Sequence, residues 1–217
     1  MKKLSFKGRS IYSWIVTCLL AGVGLSLGLV LVMIFQIFWG DSSYLKKTAI
    51  LAKINEETAI YYADEENRIG SFFEAGHRKY VQIDEVPENM INALIASEDK
   101  YFYNHWGVNP IAIGKAFVEG ITSGHFRGGS TLTQQTVKNL LDKREYSIKR
   151  KYKEAIAAFQ LERMYSKRQI LEFYLNQFHV ASNGNGIGIA AKYYFNKEVK
   201  DLTLVECAFH SWIGKRS

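Results

Sequence analysis

Residues 98–107 read EDKYFYNHWG, and residues 129–139 read GSTLTQQTVKN. The first stretch follows a run of apolar residues at helical spacing, which predicts a helix that ends near Glu98. Glu98 is followed closely by four aromatic residues, Tyr101, Phe102, Tyr103 and Trp106. Aromatic neighbours would shield this carboxylate from water, as a general base or acid requires, whereas a solvated surface glutamate is the alternative. The second stretch supplies hydroxyls and amides that suit sugar and phosphate oxygens. Its Ser130 or Thr131 can also cap the following helix, whose N-terminus favours anions.

A second charged pattern, RKYKE, lies at residues 150–154. On a helix, Arg150 and Lys151 fall on the same face as Glu154, four and three residues further on. One interpretation is a surface ion-pair cluster that contributes only a few tenths of a kcal/mol per pair. The other is a seat for a diphosphate, in which the cations stabilise developing negative charge and Glu154 positions them or holds a divalent cation.

These patterns resemble the peptidoglycan glycosyltransferase family (glycosyltransferase family 51). Its first three motifs read E-D-x-x-F-x-x-H-x-G, G-S-T-L-T-Q-Q and R-K-x-x-E, and residues 167–176 and 186–195 match the fourth and fifth. The resemblance covers roughly residues 58–208. In this family the domain occurs as a monofunctional transglycosylase or as the N-terminal part of a class A penicillin-binding protein.

The resemblance implies an enzyme that polymerises lipid II into glycan strands by inverting glycosyl transfer, with release of polyprenyl diphosphate. Glu98 is implied as the base that takes the proton from the acceptor sugar's 4-hydroxyl, and Glu154 as the second catalytic carboxylate. Polar and cationic side chains are implied to bind substrate, namely Ser130, Gln134, Gln135, Lys138, Arg150 and Lys151. Supporting roles fall to Asp99, Phe102, His105 and Asn176.

The same resemblance implies lipid II, the growing lipid-linked glycan and the membrane as partners. It also leaves room for other cell-wall synthesis and division proteins. No essential cofactor is expected, and a divalent cation (Mg²⁺ or Mn²⁺) at the diphosphate is left open. Nucleic acid is not expected, although six of the eleven residues at 143–153 are basic. That run is short and flanked by acidic residues, unlike a concentrated nucleic-acid face.

Residues 11–39 contain no charged side chain. This exceeds the roughly 20 residues that span a bilayer as a helix and the about 7–15 apolar residues of a signal peptide, so a retained transmembrane anchor is predicted. Four of the seven net positive charges lie in residues 1–10, predicted as a cytoplasmic tail. Lysines on both sides of the anchor make the charge bias slight. The resemblance therefore decides the orientation, with the catalytic domain on the periplasmic side of the bacterial inner membrane.

The predicted fold is mainly α. After the anchor, a polar helical linker at 40–57 leads to a lysozyme-like glycosyltransferase domain at 58–217, which carries a small antiparallel β appendage. Three aromatic and β-branched runs, at 58–62, 68–73 and 79–83, predict the β appendage. Helical spacing follows Pro87 and recurs later in the chain. The later helices are predicted at 131–141, 148–165, 167–177, 187–194 and 202–209.

Three other features bear on fold and activity. The glycine-rich residues 111–129 fit either a mobile segment that lies against lipid or an amphipathic helix followed by a loop. Ala181 stands where the family tends to have glycine. Residues 209–217 depart from the family pattern, so the chain is expected to stop short of the domain's last helices. The main alternative to the polymerase is therefore an inactive homologue that binds lipid-linked glycan or a partner protein. A lysozyme-like lyase and a DNA-binding protein are two further alternatives.

Overall fold

The chain divides into two units, Met1–Asp41 and Ser42–Ser217. The structure, a computed structural model, describes residues 11–54, 58–61, 68–72, 80–123, 129–141, 147–177, 179–180 and 184–213. Ala181 and residues 214–217 lie outside these ranges. The two units are described separately below.

The first unit is one long helix, α1 (Ile11–Trp39), of 29 residues. At about 1.5 Å per residue such a helix is longer than the hydrocarbon core of a bilayer. Its span Tyr12–Trp39 is long and apolar enough to cross a membrane by length and composition, and the described residues bury none of its most apolar window. That full exposure is unlike the core helix of a water-soluble domain and is compatible with the predicted anchor.

The second unit is mainly helical, as predicted. Short 3₁₀ turns at Ser43–Leu45, Ile83–Glu85, Phe102–Asn104 and Val199–Asp201 connect its elements. Its helices are α2 (Lys47–Ile54), α3 (Glu88–Glu98), α4 (Pro110–Ser123), α5 (Leu132–Leu141), α6 (Ile148–Met164), α7 (Lys167–Gln177), α8 (Ile187–Phe195) and α9 (Leu204–Ile213). α5 packs against α6 and α7, and α9 packs against α3. The packing of α5 against α6 and α7 brings the second, third and fourth motifs together.

Two short strand pairs accompany the helices. β1 (Thr58–Tyr61) pairs antiparallel with β2 (Arg68–Phe72), with a register shift between Ile60 and Tyr61. β3 (His179–Val180) pairs antiparallel with β4 (Gly184–Asn185). Both pairs are too short to form a sheet with its own core.

The third predicted strand, at 79–83, is wrong for the residues that the structure describes. Tyr80–Gln82 have no regular structure, and Ile83 opens a 3₁₀ turn. The reason is a competing set of hydrogen bonds from α7. Asn176 accepts from Val81 N at 2.9 Å and donates to Val81 O at 2.8 Å, so these backbone groups are bound by a side chain rather than by a neighbouring strand.

The segment predicted as a linker at 40–57 differs from that expectation. Its helical character is confirmed by α2, but Leu45, Ile50 and Ile54 are buried in the core of the second unit. Fully burying one such side chain contributes about 1.5–3 kcal/mol. Residues 43–54 are therefore part of the folded second unit.

The glycine-rich segment after Pro110 is helical over Pro110–Ser123, which confirms the helix interpretation for that part. Ile111, Ile113 and Val118 on α4 are exposed. Residues 124–128 lie outside the described residues. Contact of this segment with lipid stays a prediction.

Candidate active site

Glu98 is the last residue of α3, whose core face is formed by Met90, Ile91 and Leu94. The Oε2 atom of Glu98 accepts a hydrogen bond from Gln135 Nε2 on α5 at 3.2 Å. Its Oε1 atom is buried and has no hydrogen-bond partner in the described part of the chain. One carboxylate oxygen is therefore held by the second motif, and the other is enclosed without a hydrogen bond from the described residues.

The aromatic shield predicted for Glu98 is wrong for three of its four members. Tyr101, Tyr103 and Trp106 are 51%, 57% and 79% exposed, and only Phe102 is fully buried. The 3₁₀ turn at Phe102–Asn104 directs Phe102 into the core, while its neighbours face solvent. A buried aromatic residue that interacts with Glu98 is Tyr174 of α7, whose pKa is raised by burial and by the negative charge of Glu98.

Asp99 and His105 connect the first motif to the start of α5. Asp99 Oδ2 lies 2.8 Å from His105 Nε2 and accepts from the backbone N–H of Leu132 at 3.0 Å. The N–H of Gly107 donates to His105 Nδ1 at 3.1 Å, so the hydrogen-bond network assigns the ring proton to Nε2. This geometry supports the supporting roles implied for both residues: Asp99 orients the end of α3, and His105 closes the turn.

Thr131 and Gln134 form a capping box at the start of α5. Thr131 Oγ1 accepts from Gln134 N at 3.1 Å, and Gln134 Oε1 accepts from Thr131 N at 3.0 Å. The capping interpretation of Thr131 is thus confirmed. Gln134 is buried, and its amide oxygen faces its own helix start. Its predicted contact with substrate is not favoured by this geometry, whereas Lys138, one turn further on, is exposed.

The RKYKE cluster lies at the start of α6, where Ser147 caps the helix by accepting from Arg150 N. Glu154 is 1% exposed and lies 3.0 Å from Arg150 Nε and 2.9 Å from Lys151 Nζ. These are charge pairs without the alignment of good hydrogen bonds to the carboxylate oxygens. Because Glu154 and Arg150 are both buried, the surface ion-pair interpretation is wrong.

Lys151 also links this cluster to the second motif, since its Nζ donates to Ser130 Oγ at 3.2 Å. Its side chain is 49% exposed, so the ammonium group is accessible to an anion. Ser130 immediately precedes the capping residue of α5, and Gln135 follows within its first turn. The segment 130–135 therefore contacts both the RKYKE cluster and Glu98.

The fourth motif braces this arrangement from α7. Glu172 accepts from Tyr80 Oη at 2.6 Å and from Ile83 N at 2.9 Å, while Asn176 binds Val81. These bonds hold the segment that leads into α3. The position of Asn176 supports its predicted supporting role.

A second brace was not predicted. Glu162 Oε1 accepts from Thr133 Oγ1 at 2.6 Å and from Lys167 Nζ at 2.7 Å, and Lys167 also donates to His105 O at 2.7 Å. Thr133 lies far from Glu162 in sequence, and Glu162 and Lys167 are five residues apart, which is not the spacing of paired side chains on one helix. No local pattern therefore predicted these contacts. The one relevant feature of the sequence was the positive charge of Lys167 at the start of the fourth motif.

In the fifth motif, Gly186 adopts a φ of +105°, with Asn176 O 3.2 Å from where a Cβ would lie. Ala190 and Ala191 are fully buried on α8, where their small side chains permit close helix contact. The part of the chain that the structure describes contains no group of three His, Cys, Asp or Glu residues that could hold a metal ion. A divalent cation at the diphosphate stays a prediction.

Comparison with known proteins gives a consistent result. The transglycosylase family model matches residues 65–215. Penicillin-binding protein 1A of Aquifex aeolicus is 44% identical over 139 residues, which are 64% of this chain and 19% of that protein. The proteins of the same name from Neisseria lactamica and Vibrio cholerae are 41% and 36% identical over 157 and 183 residues, or 72% and 84% of this chain and 19% and 22% of theirs.

The chain thus spans about one fifth of the length of these relatives. The family model covers most of the second unit, including all five motifs. The prediction of a peptidoglycan glycosyltransferase domain, of the kind found in the N-terminal part of class A penicillin-binding proteins, is confirmed: this chain belongs to the transglycosylase family.

Proposed function

We propose that this chain polymerises lipid II into glycan strands by inverting glycosyl transfer, with release of polyprenyl diphosphate. The observation that carries the proposal is the double contact of segment 130–135. Gln135 binds the Glu98 carboxylate, and Ser130 binds Lys151 in the cluster with Arg150 and Glu154. One short segment thus connects a candidate base to a candidate diphosphate seat.

In the proposed reaction Glu98 accepts the proton of the acceptor sugar's 4-hydroxyl. The oxygen then forms a bond to the anomeric carbon of the lipid-linked donor, and the bond from that carbon to the diphosphate oxygen breaks with its electron pair. Glu98 Oε1 has no hydrogen-bond partner among the described residues and is buried, so the acceptor must open this side of the carboxylate when it binds. General base catalysis of this kind contributes about 10²–10⁴-fold to a rate.

The departing diphosphate requires positive charge. Lys138 and Lys151 offer exposed ammonium groups, and Arg150 stands behind them in the buried part of the cluster. Glu154 lies between Arg150 and Lys151, so its proposed role is to fix both cations in place. A divalent cation, Mg²⁺ or Mn²⁺, would add to this charge by binding the diphosphate oxygens.

The proposal extends to location and partners. α1 anchors the chain in the inner membrane, and the second unit faces the periplasm, where it meets lipid II and the growing glycan. Other cell-wall synthesis and division proteins are proposed partners. The helices are proposed to form a lysozyme-like domain, with β1 and β2 as its small antiparallel appendage; the antiparallel pairing of those strands supports the latter.

The experiment is the incubation of the purified chain with lipid II, followed by gel separation of glycan polymer. Polymer from the unmodified chain and its loss in Glu98→Gln are expected. Lipid II binding without turnover in the unmodified chain would favour the inactive homologue. A lyase needs no diphosphate seat, so cleavage of preformed glycan that persists in Lys138→Ala and Arg150→Ala would favour that alternative. Salt-sensitive binding to duplex DNA would point to the DNA-binding alternative.

A further inference from the structure

Gln135 makes a polar contact at each end of its side-chain amide. Its Nε2 donates to Glu98 Oε2 at 3.2 Å, and its Oε1 accepts from Tyr174 Oη at 3.4 Å. The amide therefore lies between an anionic acceptor and a hydroxyl donor. Rotating it by half a turn would place the amide oxygen against the carboxylate, and the two acceptors would repel each other.

Tyr174 favours one of these two orientations. It lies on α7, is 7% exposed, and comes from the helix that also braces the segment before α3. Burial, together with the charge of Glu98, raises the pKa of its phenol, so the hydroxyl stays protonated at neutral pH and remains a donor. A donor at this position pairs with the amide oxygen of Gln135 and leaves the amide nitrogen to face Glu98.

The orientation matters because it distinguishes the two oxygens of Glu98. While Gln135 holds Oε2, the plane of the carboxylate is fixed, and Oε1 is the oxygen without a partner in the described residues. A base is effective when its accepting atom is held toward the proton that it removes. Free rotation of the amide would let the carboxylate turn.

We propose that Tyr174 is a positioning residue for the transfer reaction, which acts through Gln135 to hold the Glu98 carboxylate in one plane, with Oε2 bound to the amide and Oε1 left to accept the proton. Tyr174 itself touches neither substrate nor the reacting atoms. The inference rests on the proposed function, because it assigns Tyr174 a part in the same reaction. Its contact with Gln135 is long for an O–H···O hydrogen bond, so its contribution is that of one modest bond.

The test is a double-mutant cycle on the full chain with lipid II as substrate. Tyr174→Phe is expected to lower kcat about 2- to 10-fold, the equivalent of one neutral hydrogen bond, with KM unchanged. Gln135→Ala is expected to lower kcat further. In the Gln135→Ala background, Tyr174→Phe should then change kcat by less than about 1.5-fold, because the intermediary is gone.

The matched control is Tyr165→Phe. Tyr165 is a partly buried tyrosine whose hydroxyl donates a hydrogen bond to Leu45 O at 2.7 Å and whose ring packs against Phe173, and neither partner belongs to the candidate site. This variant should lose some thermal stability and keep its kcat. An equal fold-loss from Tyr174→Phe in both backgrounds, or a loss that also appears in Tyr165→Phe, would overturn the proposal.

A separate readout keeps this test distinct from that of the proposed function. If the unmodified chain makes no polymer, the proposed function fails. The Tyr174 contact is then judged from the side-chain amide resonances of Gln135 in isotope-labelled protein in detergent. A shift in Tyr174→Phe but not in Tyr165→Phe supports the orienting contact, and unshifted resonances in both variants contradict it.

Discussion

At the scale of single residues, Gly107 shows why the first motif ends in glycine. Its φ is +94°, and a Cβ at this position would lie 2.8 Å from the backbone C and O atoms of Ala158 on α6. Its carbonyl also accepts from Thr131 Oγ1 at 2.5 Å. Ala158 follows Glu154 by one helical turn, so the absence of a side chain at Gly107 lets the first motif approach the helix that carries the second carboxylate.

Gly107→Ala is expected to lower the free energy of unfolding by about 2–4 kcal/mol, from the strained φ together with displacement of α6. Chemical denaturation in detergent, followed by circular dichroism, measures the change. Gly114→Ala on α4 is the matched control, because nothing lies within 4 Å of its Cβ position. That variant should gain about 0.5–1 kcal/mol from helix propensity. Equal stability of the two variants would contradict the close approach at Gly107.

At the scale of elements, one joint holds α5, α6 and α7 together beside the first motif. Glu162 of α6 accepts from Thr133 of α5 and from Lys167 of α7. The ammonium group of Lys167 also binds His105 O and lies 4.5 Å from the centre of the Phe102 ring. Three helices and the turn after Glu98 thus meet at the Glu162–Lys167 ion pair.

Lys167→Met is expected to destabilise the chain by about 2–3 kcal/mol, somewhat less than the loss for a fully buried ion pair, because the Lys167 side chain is 20% exposed. Thermal or urea unfolding measures the loss. The neighbouring cation supplies the control: Arg168 pairs with the exposed carboxylates of Asp84 and Glu88. Arg168→Met should leave the free energy of unfolding almost unchanged, because an exposed ion pair contributes little. If both variants lose the same free energy, the joint has no special role.

Sequence patterns predicted those helices that depend on the spacing of residues close together in the chain. The helical spacing around Met90 and over 167–177 needs no distant partner, and α3 and α7 begin and end close to their predicted limits. The run at 79–83 has the composition of a strand, but Asn176 and Glu172, more than eighty residues away, bind its backbone instead. Such long-range competition has no local signature.

The candidate site shows the same contrast between features set by local spacing and features set by long-range packing. Glu98, Asp99 and the RKYKE cluster stood out because their spacing or their family pattern is local. The burial of Glu154, the capping contact of Gln134 and the place of Tyr174 beside Gln135 depend on how α5, α6 and α7 pack. The aromatic shield failed for this reason too, since composition does not show which ring of a turn faces the core.

At the scale of the whole molecule, the chain combines a long apolar helix with a folded unit that has its own core. The hydrophobic core cluster of the second unit begins at Leu45, after the boundary at Asp41. α1 presents large apolar side chains such as Leu19, Leu25 and Phe35 on its surface. Burial of this surface in lipid would stabilise the membrane-bound state strongly.

The full chain is therefore expected to remain with the membrane fraction after alkaline carbonate extraction. A variant that lacks residues 1–41 should be released by the same treatment, because it loses the spanning helix. Fractionation and immunoblotting of cells that express each form make the measurement. Extraction of the full chain into the soluble fraction would contradict the anchor.

The most direct measurement compares the rates of lipid II polymerisation by the unmodified chain, Glu98→Gln and Glu88→Gln. Both substitutions remove one carboxylate from α3, but Glu88 lies at the opposite end of the helix and is exposed. The account predicts that Glu98→Gln loses about 10²–10⁴-fold in kcat, the contribution of a general base, while Glu88→Gln keeps the full rate. Polymerisation by Glu98→Gln within about tenfold of the unmodified chain would contradict the role of Glu98 as the base.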